Sequence, residues 1–188
     1  MKLILGLGNP GSTYEGTRHN LGFFAVEALA RAEKGTWKTD TKRKADVCVI
    51  QIGEEKILLA KPATFMNLSG DAAAALLSFY KLSPADILIV HDEMDLEPLR
   101  LQFKANGGTA GHNGLASIVE RLGTEAVARL RIGIGRPSTP NIPNDGYVLG
   151  KLSPENTPNA LDIIAAMRDW IEGGTDHAMQ RWNKQSSS

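Results

Sequence analysis

Short apolar runs alternate with amphipathic helical patterns along this chain, and that alternation points to an α/β fold. The runs Lys2–Leu7, Val47–Ile52, Lys56–Ala60, Ile87–Val90, Arg100–Phe103 and Leu130–Ile134 read as strands. Two of them, KILLA and ILIV, are continuously apolar, as strands covered on both faces tend to be. Gly53-Glu54-Glu55 between the second and third has the character of a hairpin turn, so the sheet is expected to be mixed. The segments Leu21–Glu33, Leu68–Tyr80, Leu115–Leu122 and Ala160–Glu172 read as helices. Leu21, Phe24, Ala25, Ala28 and Leu29 share one face of the first, and Leu68, Ala72, Ala75, Leu76 and Phe79 share one face of the second. Gly173-Gly174 is expected to stop the last long helix, ahead of a short one over Asp176–Asn183. The expectation is a single α/β domain over residues 1–185, with Ser186-Ser187-Ser188 as a disordered tail.

Composition narrows the function classes. At 188 residues, 42% hydrophobic and 22% charged, the chain reads as an ordinary soluble globular domain. No apolar run approaches the roughly 18–20 residues that span a bilayer, and Met1 to Leu5 reads as a strand rather than a signal peptide. The only cysteine, Cys48, excludes an intramolecular disulfide, fits a reducing compartment and reads as buried packing. Lys and Arg total 21 and Asp and Glu total 21, so the net charge is zero. That zero is a cancellation: residues 1–85 carry +3, 86–97 carry −5, 98–151 carry +4 and 152–188 carry −2. A globally basic nucleic-acid binder is excluded, but a phosphate contact confined to the basic segment around Lys104 and Arg131 is not.

The chemistry-bearing residues gather where strands end. Gly6-Leu7-Gly8-Asn9-Pro10-Gly11 matches a dinucleotide-binding fingerprint after a strand. Pro10 removes an amide from the turn that should cradle pyrophosphate, and the helix pattern opens late, near Leu21. The alternatives are a tight strand exit and a close backbone approach to a ligand, with Asn9 pointing into a site. Asn9, Asn67 and Asp92 each follow an apolar strand within a few residues, and His19 lies on the loop leaving the first. If those strands are parallel, these side chains converge on the carboxyl edge of the sheet, where α/β proteins bind ligands. The structural alternatives are a helix cap for Asn67, a turn residue for Asp92 and a helix-entrance position for His19. His91-Asp92-Glu93-Met94-Asp95 raises metal binding, but no metal-ligand spacing supports it, and a carboxylate orienting a histidine competes with it. The Gly107–Gly114 loop allows close backbone approach; Asn113 there reads as a helix cap or a site residue, and Lys104 before it as an anion contact or a solvated lysine. No G-x-S-x-G is present, and Trp37, Trp170 and Trp182 read as packing residues.

Taken together these segments resemble bacterial-type peptidyl-tRNA hydrolase. The matching pieces are Leu5 to Gly11 with Tyr14, Thr17 to Gly22, Lys61 to Gly70, His91 to Leu96, the Gly107–Gly114 loop, Arg129 to Pro137 and Tyr147 to Lys151. They cover nearly the whole chain in order. The loop departs from the family pattern at Asn106, Thr109 and Ala110. The resemblance implies one α/β domain with a mixed, twisted sheet flanked by helices. It implies a monomeric cytoplasmic esterase acting on peptidyl-tRNA, with no cofactor, no metal and no membrane partner. Carried over residue by residue, His19 is the catalytic base and Asp92 orients it. Asn9, Tyr14, Met66, Asn67 and Asn113 bind substrate, and Lys104 and Arg131 match positions associated with tRNA.

Overall fold

The computed structural model describes residues 1–184, so the expected Ser186–Ser188 tail lies outside the described residues. Seven strands form one mixed sheet: β1 (Lys2–Gly6), β2 (Lys38–Asp40), β3 (Ala45–Ile52), β4 (Glu55–Pro62), β5 (Ile87–Glu93), β6 (Leu101–Lys104) and β7 (Ala128–Gly133). Their spatial order is β2-β3-β4-β1-β5-β7-β6. The central strands β4, β1, β5 and β7 run parallel, while β2, β3 and β6 pair antiparallel at the margins. The expected hairpin joins β3 to β4 with Ile52 opposite Glu55, and Gly53 supplies the positive φ of 58° that its turn requires.

Among the described residues the α-helices are α1 (Leu21–Ala32), α2 (Ser69–Tyr80), α3 (Asn113–Leu122), the short α4 (Asn144–Val148) and α5 (Ala160–Trp182), and all but α4 pack on the sheet. Strand alternation divides the core. Ile4 of β1 faces one apolar cluster with Leu21, Leu29, Ile163 and Trp170 from α1 and α5. Leu3 and Leu5 face the other, with Leu76 of α2 and Leu115 and Ile118 of α3. Gly174, at φ 77°, interrupts α5 near its expected stop, and the helix resumes beyond it. Asn183 then lays its side-chain amide on both the amide and carbonyl of Phe103, closing the outer edge of β6.

Two glycines bring α1 onto the sheet. A methyl group on Gly6 would lie 2.1 Å from the Gly22 carbonyl oxygen, and one on Gly22 would lie 2.2 Å from the Leu7 amide nitrogen. The Phe23 amide in the first turn of α1 donates to the Leu7 carbonyl at 3.2 Å. Within the Gly6–Gly11 fingerprint, Gly6 and Gly8 therefore serve close packing against α1.

Candidate active site

The parallel arrangement puts the loops after β1 and β4 and the end of β5 on one edge, as the sequence pattern required. Asp92 lies inside β5, because backbone pairing with β7 continues through His91, Asp92 and Glu93 beyond the apolar run. That strand is buried along its whole length, and Asp92 is 2% exposed. A carboxylate so placed needs charge-assisted partners, and it has two. His19 Nδ1 lies 3.0 Å from each Asp92 carboxylate oxygen, and His112 Nε2 lies 2.9 Å from Oδ1. Burial alone would raise the Asp92 pKa; His112 first, and then the hydrogen bond from His19, outweigh it and hold the group below the ordinary carboxylate range. Asp92 is thus an ionised acceptor, and both imidazole nitrogens facing it carry hydrogen.

His112 has a second contact that locks its tautomer. It is the N-cap of α3, and its Nδ1 accepts from the amides of Gly114 at 3.2 Å and Leu115 at 3.3 Å. Asn113, for which the sequence left a cap and a site residue as alternatives, occupies the first helical position and faces the cleft. The cleft is lined by His19, Asp92, Glu93, His112, Asn113, Arg136 and the α4 residues Asn144, Asp145 and Val148. Sequence reading did not single out His112. Its only signal was a histidine next to Asn113 in a Gly-rich loop, with no periodicity to mark it.

The amides are individually oriented. Asn9 is buried, and its Oδ1 accepts from the Met66 amide at 2.7 Å, which leaves Nδ2 as its donor. Asn20 precedes α1 but makes no side-chain cap. Its amide clasps the Asn9 backbone at both ends, each contact 2.9 Å. Met66 is buried, with its sulfur against Gly114. Asn67 caps no helix; it is exposed on a 3₁₀ turn beside Ser117 and Arg121. Tyr14 is half-buried and meets the exposed Phe65 edge to face, with centroids 6.3 Å apart.

The two basic residues diverge. Lys104 is exposed at the end of β6, next to Gly107. Arg131 turns inward, with Nε 3.0 Å from Glu93 Oε2 and a further bond to Gln102. Its charge is compensated inside the protein, so the exposed cation of the pair is Lys104.

His91 lies beside the cluster without joining it. Its Nδ1 donates to the Asp92 carbonyl at 2.6 Å, and its Nε2 is buried without a partner among the described residues. Burial first, then the neighbouring His112, pushes its pKa from 6.5 down to about 3, against the hydrogen bond to the Asp92 carbonyl. The folded protein therefore keeps His91 neutral where the unfolded chain binds a proton, so stability falls as pH drops from 6.5 toward 3. Between pH 7 and pH 5 this group alone should remove about 2 kcal/mol. In urea unfolding at the two pH values, His91→Asn should lose less stability than the parent by about that amount. Equal losses would show that His91 titrates as freely in the folded state as in the unfolded.

A carboxylate-oriented histidine at the carboxyl ends of parallel strands, flanked by neutral amides, is an arrangement that an α/β enzyme can use for general-base chemistry. The family description Peptidyl-tRNA hydrolase matches residues 3–188, and the chain belongs to that family. Its relatives include the peptidyl-tRNA hydrolase of Desulforamulus reducens, 42% identical over 99% of this chain and 90% of that protein. The Neisseria meningitidis serogroup B protein of the same name is 47% identical over 95% of this chain and 94% of its own. The crystal structure of peptidyl-tRNA hydrolase from Acinetobacter baumannii superposes with a TM-score of 0.86 at 38% identity, covering 97% of this chain and 94% of that one.

Proposed function

We propose that this protein hydrolyses the ester bond between a peptide and the 3′ end of tRNA, releasing free tRNA and peptide from peptidyl-tRNA dropped by ribosomes. The observation that carries the reading is the His19 Nδ1 contact, 3.0 Å to both oxygens of buried Asp92. It fixes the Nδ1–H tautomer and leaves the Nε2 lone pair as the base. His19 takes a proton from water as the oxygen attacks the ester carbonyl, and returns it to the departing ribose oxygen when the tetrahedral intermediate collapses. Asp92 stabilises the imidazolium in between.

Asn9 Nδ2 and Asn113 supply neutral donors for the oxyanion or for peptide carbonyls, with Tyr14, Met66 and Asn67 completing the peptide side. Lys104 meets tRNA phosphate, and Arg131 supports that side through Glu93. A peptide beyond the ester offers C=O and N–H groups that amides can satisfy, whereas free aminoacyl-tRNA offers an ammonium. N-blocked substrates are therefore preferred.

His19, Asp92 and His112 place ligand-type atoms within 4.8 Å of one another. A metal there would need the Nε2 lone pair of His112, which means moving its hydrogen to Nδ1 and breaking the α3 cap. The reaction runs without a metal, as a monomer, in the cytoplasm where ribosomes leave the substrate.

The deciding assay compares N-acetyl-aminoacyl-tRNA with free aminoacyl-tRNA, with and without chelator. The expected result is selective release from the blocked substrate that chelation does not alter; equal cleavage of both, or loss restored by metal, overturns the reading. Asn113→Ala then sorts the amides. A fall in kcat of about 10²-fold assigns Asn113 to the oxyanion, whereas a rise in KM at constant kcat assigns it to the peptide. Unchanged kinetics would remove it from the site.

A further inference from the structure

Arg129 of β7 is the bulkiest of the fully buried side chains, at 2% exposure. Among the described residues no carboxylate hydrogen-bonds to it, Glu125 and Glu93 acting on it only at longer range, and its Nε is buried without a partner. A buried guanidinium stays charged at neutral pH, and among the same residues the acceptors its terminal nitrogens reach are two backbone carbonyls. Nη1 donates to Gly108 at 2.6 Å, and Nη2 donates to Gly107. In extended backbone, successive carbonyls point to opposite sides. Here both carbonyls face one guanidinium, so the chain is not extended between them, and Gly107, at φ 119°, takes a conformation open to glycine in the turn leading into them.

Four residues further on, the same loop delivers the site. The His112 amide donates to the Thr109 carbonyl at 2.9 Å, closing a turn. His112 then reaches Asp92, and Asn113 faces the cleft. A segment containing Gly107, Gly108 and Gly111 has little stiffness of its own. It is pinned at one end by Arg129 and at the other by the His112–Asp92 contact.

We propose that Arg129 is a positioning residue for ester hydrolysis: by gripping the carbonyls of Gly107 and Gly108, it holds the Gly-rich loop so that His112 stays on Asp92 and Asn113 stays in the cleft. This rests on the functional reading above, because the loop matters to turnover only if those two side chains do. Burying an unpaired charge weakens a fold more than an apolar side chain of similar size would. The grip is thus better explained by the site it arranges than by stability.

The test uses Arg129→Met, which keeps bulk and removes charge and donors, and Arg129→Lys, which keeps the charge without the two-pronged fork. Arg129→Met is expected to melt at or above the parent temperature, yet to lose about 10²-fold in kcat/KM on N-acetyl-aminoacyl-tRNA. Amide hydrogen exchange should rise about tenfold or more across 107–115 and stay unchanged in β5 and β7. Arg129→Lys should recover part of both. Combined with His112→Asn, Arg129→Met should cost less than the product of the two single losses, since both act on one contact.

Retained kcat/KM with unchanged loop exchange would overturn the proposal. So would a loss of activity accompanied by a lower melting temperature and faster exchange throughout the sheet, the pattern of a purely structural residue. If Arg129→Met does not fold, the Lys variant decides by the same readouts. If the parent protein fails to cleave the blocked substrate, the functional reading falls, and the exchange arm alone still decides whether Arg129 holds the loop.

Discussion

Replacing His19 by Ala is expected to lower kcat on peptidyl-tRNA by about 10²–10⁴-fold, the range for removing a positioned general base. The chain should stay folded. The substitution strips one donor from Asp92, but His112 still bonds Oδ1 at 2.9 Å. Water can enter the vacated volume because His19 borders the cleft. The stability cost is then that of one charge-assisted hydrogen bond, about 1.5–3 kcal/mol, a fraction of what holds a domain together. KM should change little, because the imidazole acts on water rather than on peptide or tRNA. Single-turnover cleavage of N-acetyl-aminoacyl-tRNA with circular dichroism at matched temperature separates the two effects. Near-normal turnover in the folded variant would remove His19 from the role of base.

Where the chain follows strong local rules, the sequence shows the fold. The continuous apolar runs in β4 and β5 mark them as covered on both faces, and their parallel pairing with β1 brings Asn9, Asn67 and Asp92 to one edge. Other features follow contacts that no local pattern marks. Asn20 stands at the N-cap position of α1, yet its side chain bonds to Asn9, eleven residues earlier. Asn113 resembles a cap too, but His112 takes the amides, and an imidazole is an unusual capping group with no pattern to announce it. Arg129 and Arg131 both fall in the basic segment 98–151. Burial separates them from solvent: one is turned onto two carbonyls and the other onto Glu93. Strand β2 was missed because three residues, Lys38-Thr39-Asp40, carry no apolar alternation.

Asp92→Asn should be nearly as damaging as loss of the base, although the side chain changes by little more than one atom. The carboxylate receives N–H groups from two imidazoles, so it must present acceptors to both. An amide has one oxygen and one NH2 group, so one imidazole must face the donor end. His112 cannot yield. Its Nδ1 is occupied by the Gly114 and Leu115 amides, so Nε2 keeps its hydrogen and claims the new oxygen. His19 then faces NH2 and bonds to it only as the other tautomer, with Nδ1 bare and the hydrogen on Nε2. The lone pair that should accept a proton from water now points away from the cleft. A loss in kcat of about 10³–10⁴-fold follows, with KM nearly constant, as when the tautomer-setting carboxylate of a triad is neutralised. The conflict itself can be tested by relieving it. His112→Asn removes the competing N–H while supplying a favoured N-cap residue for α3. The oxygen of the amide introduced by Asp92→Asn can then turn to His19, so the double variant should exceed Asp92→Asn alone by about tenfold or more, an interaction of the size seen between residues in one hydrogen-bond network. A double variant no faster than the single would mean that the lost negative charge, rather than the wrong tautomer, accounts for the defect. Asp92→Asn turning over within about tenfold of the parent would mean that neither matters, since orientation by a buried carboxylate is worth far more than that.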